Sequence, residues 1–181
     1  MATSPKIICF LRPPPERDKF GVLDAGTMVY AAAFMKRGFE PRFLRAGKAD
    51  YAKELDKMLR DPQVVAAYSL GGWGGNAMVK TRQGMRSAFG HFGKPLISHH
   101  GDYPFTPWVE NKVRHDFPGK FVFHNDTGTP GIVHRMMRVR GHHEHANPAY
   151  YDYQYSPIAA ASAPADRPIP LLYVGKHTGL S

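Results

Sequence analysis

The sequence predicts an α/β fold, a Rossmann-like three-layer sandwich around a mostly parallel sheet of about five or six strands. Three observations predict it. Short apolar runs alternate with longer stretches whose apolar residues recur at helical spacing. Strands joined through helices pair in parallel, with the helices covering both faces. Hydrophobic residues make up 43% of the 181, which allows a buried core in a chain of single-domain size.

Taken in order, KIICFL (6–11) is the first strand. LDAGTMVYAAAFMKRG (23–38) reads as a helix, with Asp24 as its cap and Gly38 as its stop. PRFLRA (41–46) is the second strand. KADYAKELDKMLRD (48–61) sets Tyr51, Leu55, Met58 and Leu59 on one helical stripe. VVAAYSL (64–70) is the third strand and runs into GGWGG (71–75). NAMVKTRQGMRSAFGHF (76–92) is expected to be helical, with Asn76 at its start. KPLISHH (94–100) is the fourth strand. TPWVENKVRHDF (106–117) is a helix with Thr106 at the N-cap and Pro107 in its first position. KFVFHN (120–125) is the fifth strand, and TPGIVHRMMRVRG (129–141) a helix. Regularity is expected to stop there. Residues 1–141 then form the α/β domain and 142–168 an irregular crossover rich in His, Tyr and Pro. Residues 169–181 are a final strand and tail, read as the start of a further domain.

The formal net charge is +9, a balance that favours anionic partners. The basic residues are dispersed, from Lys36 and Arg37 to Arg138 and Arg140, without a block of like charge. Nucleic acid is therefore not the expected partner. No apolar run approaches the roughly 18 residues of a membrane span, and the one near Met1 is too short for a secretory signal. The single cysteine, Cys9, lies inside the first strand and has no internal partner, which fits a reduced, cytoplasmic compartment.

In a parallel sheet of this kind ligands bind beyond the carboxyl ends of the strands. Four polar or glycine-rich loops are expected to converge there. LRPPPERDKFG (11–21) carries prolines where a dinucleotide loop carries glycines, so no dinucleotide cofactor is expected. It is either a stiff loop or one that presents Arg12 or Arg17 to a phosphate or carboxylate. In SLGGWGGNAM (69–78), Gly72, Trp73 and Gly74 are either a tight turn with a docked indole or a ligand loop. As a ligand loop it offers backbone amides to an anion and a ring to a sugar or base. In SHHGDYPFTPW (98–108), His99, His100 and Asp102 stand at a strand end. Asp102 either holds a neighbouring imidazole as the base or acts as base itself toward a sugar hydroxyl, His99 is a cleft candidate, and the aromatics that follow are equally helix-entry packing. Strand alternation sends His99 and His100 to opposite faces, which makes them poor joint metal ligands. In FHNDTGTPG (123–131), Asp126 and Thr127 cap the next helix as the default reading, while His124 and Asn125 are candidates to line the cleft and Asp126 is also a ligand-binding candidate. GHHEHANP (141–148) is rich in histidine but lacks the HExxH spacing, so no metal is assigned to it.

KPLISHHGDYPF, then KFVFHNDTG, then DRPIPLLYVGKHTG resemble, in that order, the N-terminal half of bacterial GT-B glycosyltransferases of the CgeB-like, spore-maturation type. The resemblance spans about residues 60–175, and RPIPLLYVG (167–175) is similar to the segment that opens the second Rossmann domain of that family. It implies an acceptor-side domain, part of an enzyme that moves a sugar from a nucleotide-sugar to an acceptor hydroxyl. It implies Asp102 as base with His100 beside it, and Arg12, Trp73 and Asn125 lining the acceptor cleft. The family continues into a nucleotide-sugar-binding domain where this chain has Ser181. Weak or no transfer by the chain alone is therefore expected, and so is an apolar face open to a second domain or a second copy. Two other readings stay open. One is a stand-alone module that binds an anionic or carbohydrate ligand. The other is a metal-dependent hydrolase using His99, His100, Asp102 and residues 142–145.

Overall fold

The computed structural model describes residues 5–18, 21–101, 106–125, 129–138 and 141–145. All of them belong to one unit, residues 1–148. Six strands form the main sheet: β1 (Lys6–Arg12), β2 (Phe39–Arg45), β3 (Val64–Leu70), β6 (Leu96–His100), β7 (Lys120–His124) and β8 (His142–His145). Their order is β2-β1-β3-β6-β7-β8, and every pairing is parallel. The expected Rossmann-like α/β sandwich is the fold observed.

Apolar runs make the central strands because both faces of the sheet are covered. Residues Ile7 to Leu11 of β1 are all buried. Ile8 and Phe10, with Ala66, Tyr68 and Leu70 of β3, pack under helix α1 (Val22–Met35) through Ala31, Tyr30 and Phe34. Ile7, Cys9 and Leu11 face the other way. They meet Leu55 and Leu59 of α2 (Tyr51–Arg60) and Phe89 of the short helix α3 (Ala88–His91). Helices α4 (Pro107–Arg114) and α5 (Thr129–Met136) join through Val109, Val113 and Val133.

Helix α1 starts where Asp18, not Asp24, accepts hydrogen bonds from the backbone amides of Leu23 and Asp24, at 3.1 and 2.7 Å. Asp24 lies inside the helix and faces two arginines. Gly38 follows the helix end as expected, and Pro107 opens α4 with Thr106 at its N-cap. Residues 76–92 depart from the helix expected there. They form a hairpin of β4 (Met78–Thr81) and β5 (Gly84–Ser87), then the single turn of α3. The turn explains it. The Thr81 hydroxyl donates to the Gly84 carbonyl at 2.8 Å and accepts from the Gln83 amide. Gly84 has φ +109, which breaks a helix and suits glycine.

Residues 142–145 are a strand, where the sequence reading begins an irregular crossover. His143 is buried and His142 and Glu144 are exposed, the alternation of a half-covered edge strand. The expected helix over 129–141 is shorter, ending at Met136. The strand expected at 169–175 and the tyrosine-rich run at 150–155 lie outside the described residues. No described helix is long and apolar enough to cross a membrane.

Candidate functional site

The chain leaves β1 outward to β2, then crosses back to β3 on the other side. Such a reversal opens a crevice beyond the carboxyl ends of the strands. Arg12, the 71–75 loop, His99, His100 and Asn125 all stand at this rim, as the alternation of elements predicts. Asp102 and Asp126 lie outside the described residues.

Arg12 is committed to another residue of the chain. Its Nε donates to Asp24 Oδ1 at 2.9 Å, and its Nη2 to Asp24 Oδ2. Arg45, at the end of β2, donates to the same Oδ2 at 2.7 Å and to the Pro13 carbonyl at 3.0 Å. The Arg12 hydrogen bond, with help from Arg45, holds the Asp24 carboxyl below its ordinary range. This cluster closes the β1–β2 end of the rim with two cations around one carboxylate.

The glycine loop is built as a turn. Gly71, Gly72 and Gly74 all have φ near +70. A Cβ on Gly72 would stand 2.7 Å from His100 Cε1, so no larger residue fits against that ring. The Gly74 carbonyl accepts from the Tyr51 hydroxyl at 2.9 Å, and the Trp73 carbonyl from the Ser69 hydroxyl at 2.8 Å. Strand β4 follows the loop, so no helix N-terminus points at it. Lys112 of α4 lies 3.6 Å from the Trp73 ring centroid and donates to the Gly71 carbonyl at 2.7 Å. A cation on the indole and a pinned backbone make Trp73 a fixed, half-buried platform.

His99 and His100 point to opposite faces, as strand alternation requires. On the α1 face, His99 Nε2 is 2.6 Å from Asn125 Oδ1, and Tyr30 Oη is 2.7 Å from His99 Nδ1. An acceptor Oδ1 places the proton on Nε2, so Nδ1 accepts from the tyrosine hydroxyl. The chain Tyr30–His99–Asn125 thereby turns the Asn125 amide nitrogen toward Gly101. Burial pushes the His99 pKa down, against the Asn125 hydrogen bond, and so favours the neutral ring.

His100 does not fit the expected proton-transfer role beside Asp102. Its side chain is 2% exposed, under Gly72 and Lys112, with Nε2 2.9 Å from the Ser98 hydroxyl. Burial, then the neighbouring His124, push its pKa well below the ordinary value. The ring stacks on His124 at 6.1 Å, and His124 on His143 at 5.4 Å. Among the described residues no three His, Cys, Asp or Glu side chains are grouped to hold a metal ion.

The structure thus joins His99 to Asn125, leaves Trp73 in the loop after β3 against Lys112, and withdraws Arg12 and His100 into internal contacts. Tyr30 and Lys112 complete the rim and were not candidates from sequence. Each sits within a helical stretch whose pattern marks only a packing face, so no local signal singles it out. Two grooves of about 410 and 490 Å³ lie elsewhere, one between β2 and α2, the other between the hairpin and the segment after α4. Neither is lined by a rim residue. No family model, no curated protein and no solved structure matches this chain.

Proposed function

We propose that this chain is the acceptor-side domain of a sugar-transferring enzyme of the GT-B type, binding carbohydrate along the rim at the ends of β3, β6 and β7. One observation carries the reading. A fixed aromatic platform, Trp73, follows β3, and an oriented side-chain amide, Asn125, follows β7, two strands away across β6 on the same edge of the sheet. Sugars suit that combination, with C–H faces against the ring and hydroxyls on the amide. Asp102 follows Gly101 in the chain and takes the role of general base. It removes the proton of the acceptor hydroxyl as that oxygen attacks the anomeric carbon and the nucleoside diphosphate departs.

The test is a thermal-shift comparison of oligosaccharides, phosphosugars and nucleotide-sugars on the 181-residue chain. Oligosaccharides are expected to raise Tm by mass action, and Trp73→Ala and Asn125→Ala to abolish the rise. Asp102→Asn is expected to keep it, because the carboxylate acts on a proton and not on affinity. Absence of any carbohydrate shift, or a shift that survives both rim variants, contradicts the reading.

A further inference from the structure

We propose that the buried histidine stack His100–His124–His143 is an acid-sensitive latch, holding the β6–β7–β8 half of the sheet closed at neutral pH and releasing it in acid. The three rings lie on one face of three successive strands, under α4 and α5. Their centroids are 6.1 and 5.4 Å apart and their planes within 29° and 20° of parallel. His124 Nε2 meets His143 Nδ1 at 3.1 Å, an arrangement in which one neutral ring donates and the other accepts. His100 Nδ1, His124 Nδ1 and His143 Nε2 are buried without a hydrogen-bond partner. A proton added at any of the three creates a charge with nothing to receive it.

Among the described residues, the groups that act on these rings electrostatically are bases or cations. Lys112 of α4 and Lys120 of β7 act on His100. His134 of α5 acts on His124 and meets His143 edge-on, and His99 and His142 add to this from the opposite face of the sheet. Asp116, a carboxylate after α4, acts on Lys120 and on His115. Lys120 Nζ is itself bound to the carbonyls of Lys112 and His115 at the end of α4. An added proton is therefore repelled by these described neighbours. Burial followed by these neighbours holds His124 at about 4 and His143 at about 3.

The sign follows from the direction of the shifts. The unfolded imidazole takes up its proton near 6.5, and the folded one resists it until pH 3–4. Stability is full above the unfolded value and falls as pH drops through this window. Between pH 7.5 and 5, His124 and His143 each raise the open-to-closed ratio by about 30-fold. The strands that open carry His99, Gly101 and Asn125, so acid dismantles one side of the rim while β1, β2 and β3 keep their core.

Hydrogen exchange read by mass spectrometry at pH 7.5 and 5.0, corrected for intrinsic rate, tests this on the whole chain. Protection of residues 120–124 and 142–145 is expected to fall by at least 100-fold more than that of residues 6–12. His124→Gln with His143→Asn is expected to remove most of that difference. An equal loss across all three strands, or the same pH response in the variant, overturns the latch. Should the variant not fold, the histidine Cε1–H resonances of the wild-type protein decide. His124 and His143 still neutral at pH 5 support the latch, and titration near 6.5 overturns it.

Discussion

Asp24 shows how one side chain decides what two others are free to do. Arg12 stands where a ligand phosphate would be met, yet its guanidinium and that of Arg45 converge on this carboxylate. Asp24→Asn is expected to lower stability by about 1 kcal/mol, a modest figure because the group keeps contact with water. Since its carboxyl is held low, its contribution is present above the ordinary carboxylate value and lost as pH falls beneath it. Denaturant melts at pH 7 and pH 3 check both statements, with the gap between wild type and variant narrowing at pH 3. Gly72 answers to a different constraint. Its φ of +70 and the nearby His100 ring both resist a side chain. Gly72→Ala is expected to cost about 1–3 kcal/mol by the same measurement. A cost below about 0.5 kcal/mol contradicts the contact.

Single residues also set where the elements begin. Helix α1 is started by Asp18, whose carboxylate takes two of the free amides of the first turn. Asp18→Ala is expected to cost about 1 kcal/mol in an equilibrium melt, and Asp18→Asn to recover much of it. The sequence marks Asp24 for this role because it stands just inside the apolar pattern. The carboxylate that takes these amides sits six residues earlier, before the N-cap Gly21, across a stretch where no periodicity exists to count from. The strands β1, β3, β6 and β7 were legible because their apolar runs are short and bounded by turn residues. The 76–92 segment was not, because its apolar residues also fit helical spacing. What decides between hairpin and helix there is Thr81 with Gly84, a four-residue turn signal. Strand β8 was hidden by its composition. His143 fills a core position that is ordinarily apolar, so HHEH reads as a polar cluster.

For the whole molecule the strand order matters more than any one element. Alternation of strands and helices predicts a rim beyond the strand ends, and the parallel sheet sets the carboxyl ends of β1, β3, β6 and β7 along one edge. The roles of the residues on it were less legible. Opposite faces for His99 and His100 follow from strand period alone, but which of them reaches the rim depends on helices packed from afar. Tyr30 turns His99 toward Asn125, while Ser98, Gly72 and Lys112 enclose His100. The enclosed histidines also govern the response to acid. At pH 5 the depressed pKa values of His124 and His143 remove up to about 2 kcal/mol each. Domains of this size are stable by about 5–15 kcal/mol, so the loss is a large share. Denaturation midpoints followed from pH 7.5 to 4 are expected to fall steadily below about 6.5, where the unfolded imidazole takes up its proton. A flat profile to pH 4.5 contradicts the burial of neutral rings.

Carbohydrate binding at the rim is the central claim, and amide chemical-shift mapping tests it most directly. With an oligosaccharide titrated into the labelled chain, the account predicts shifts gathered on Gly71–Gly75, His99–Asp102 and Asn125. No shift at saturating sugar, or shifts confined to the groove between Met85 and Phe117, would contradict it.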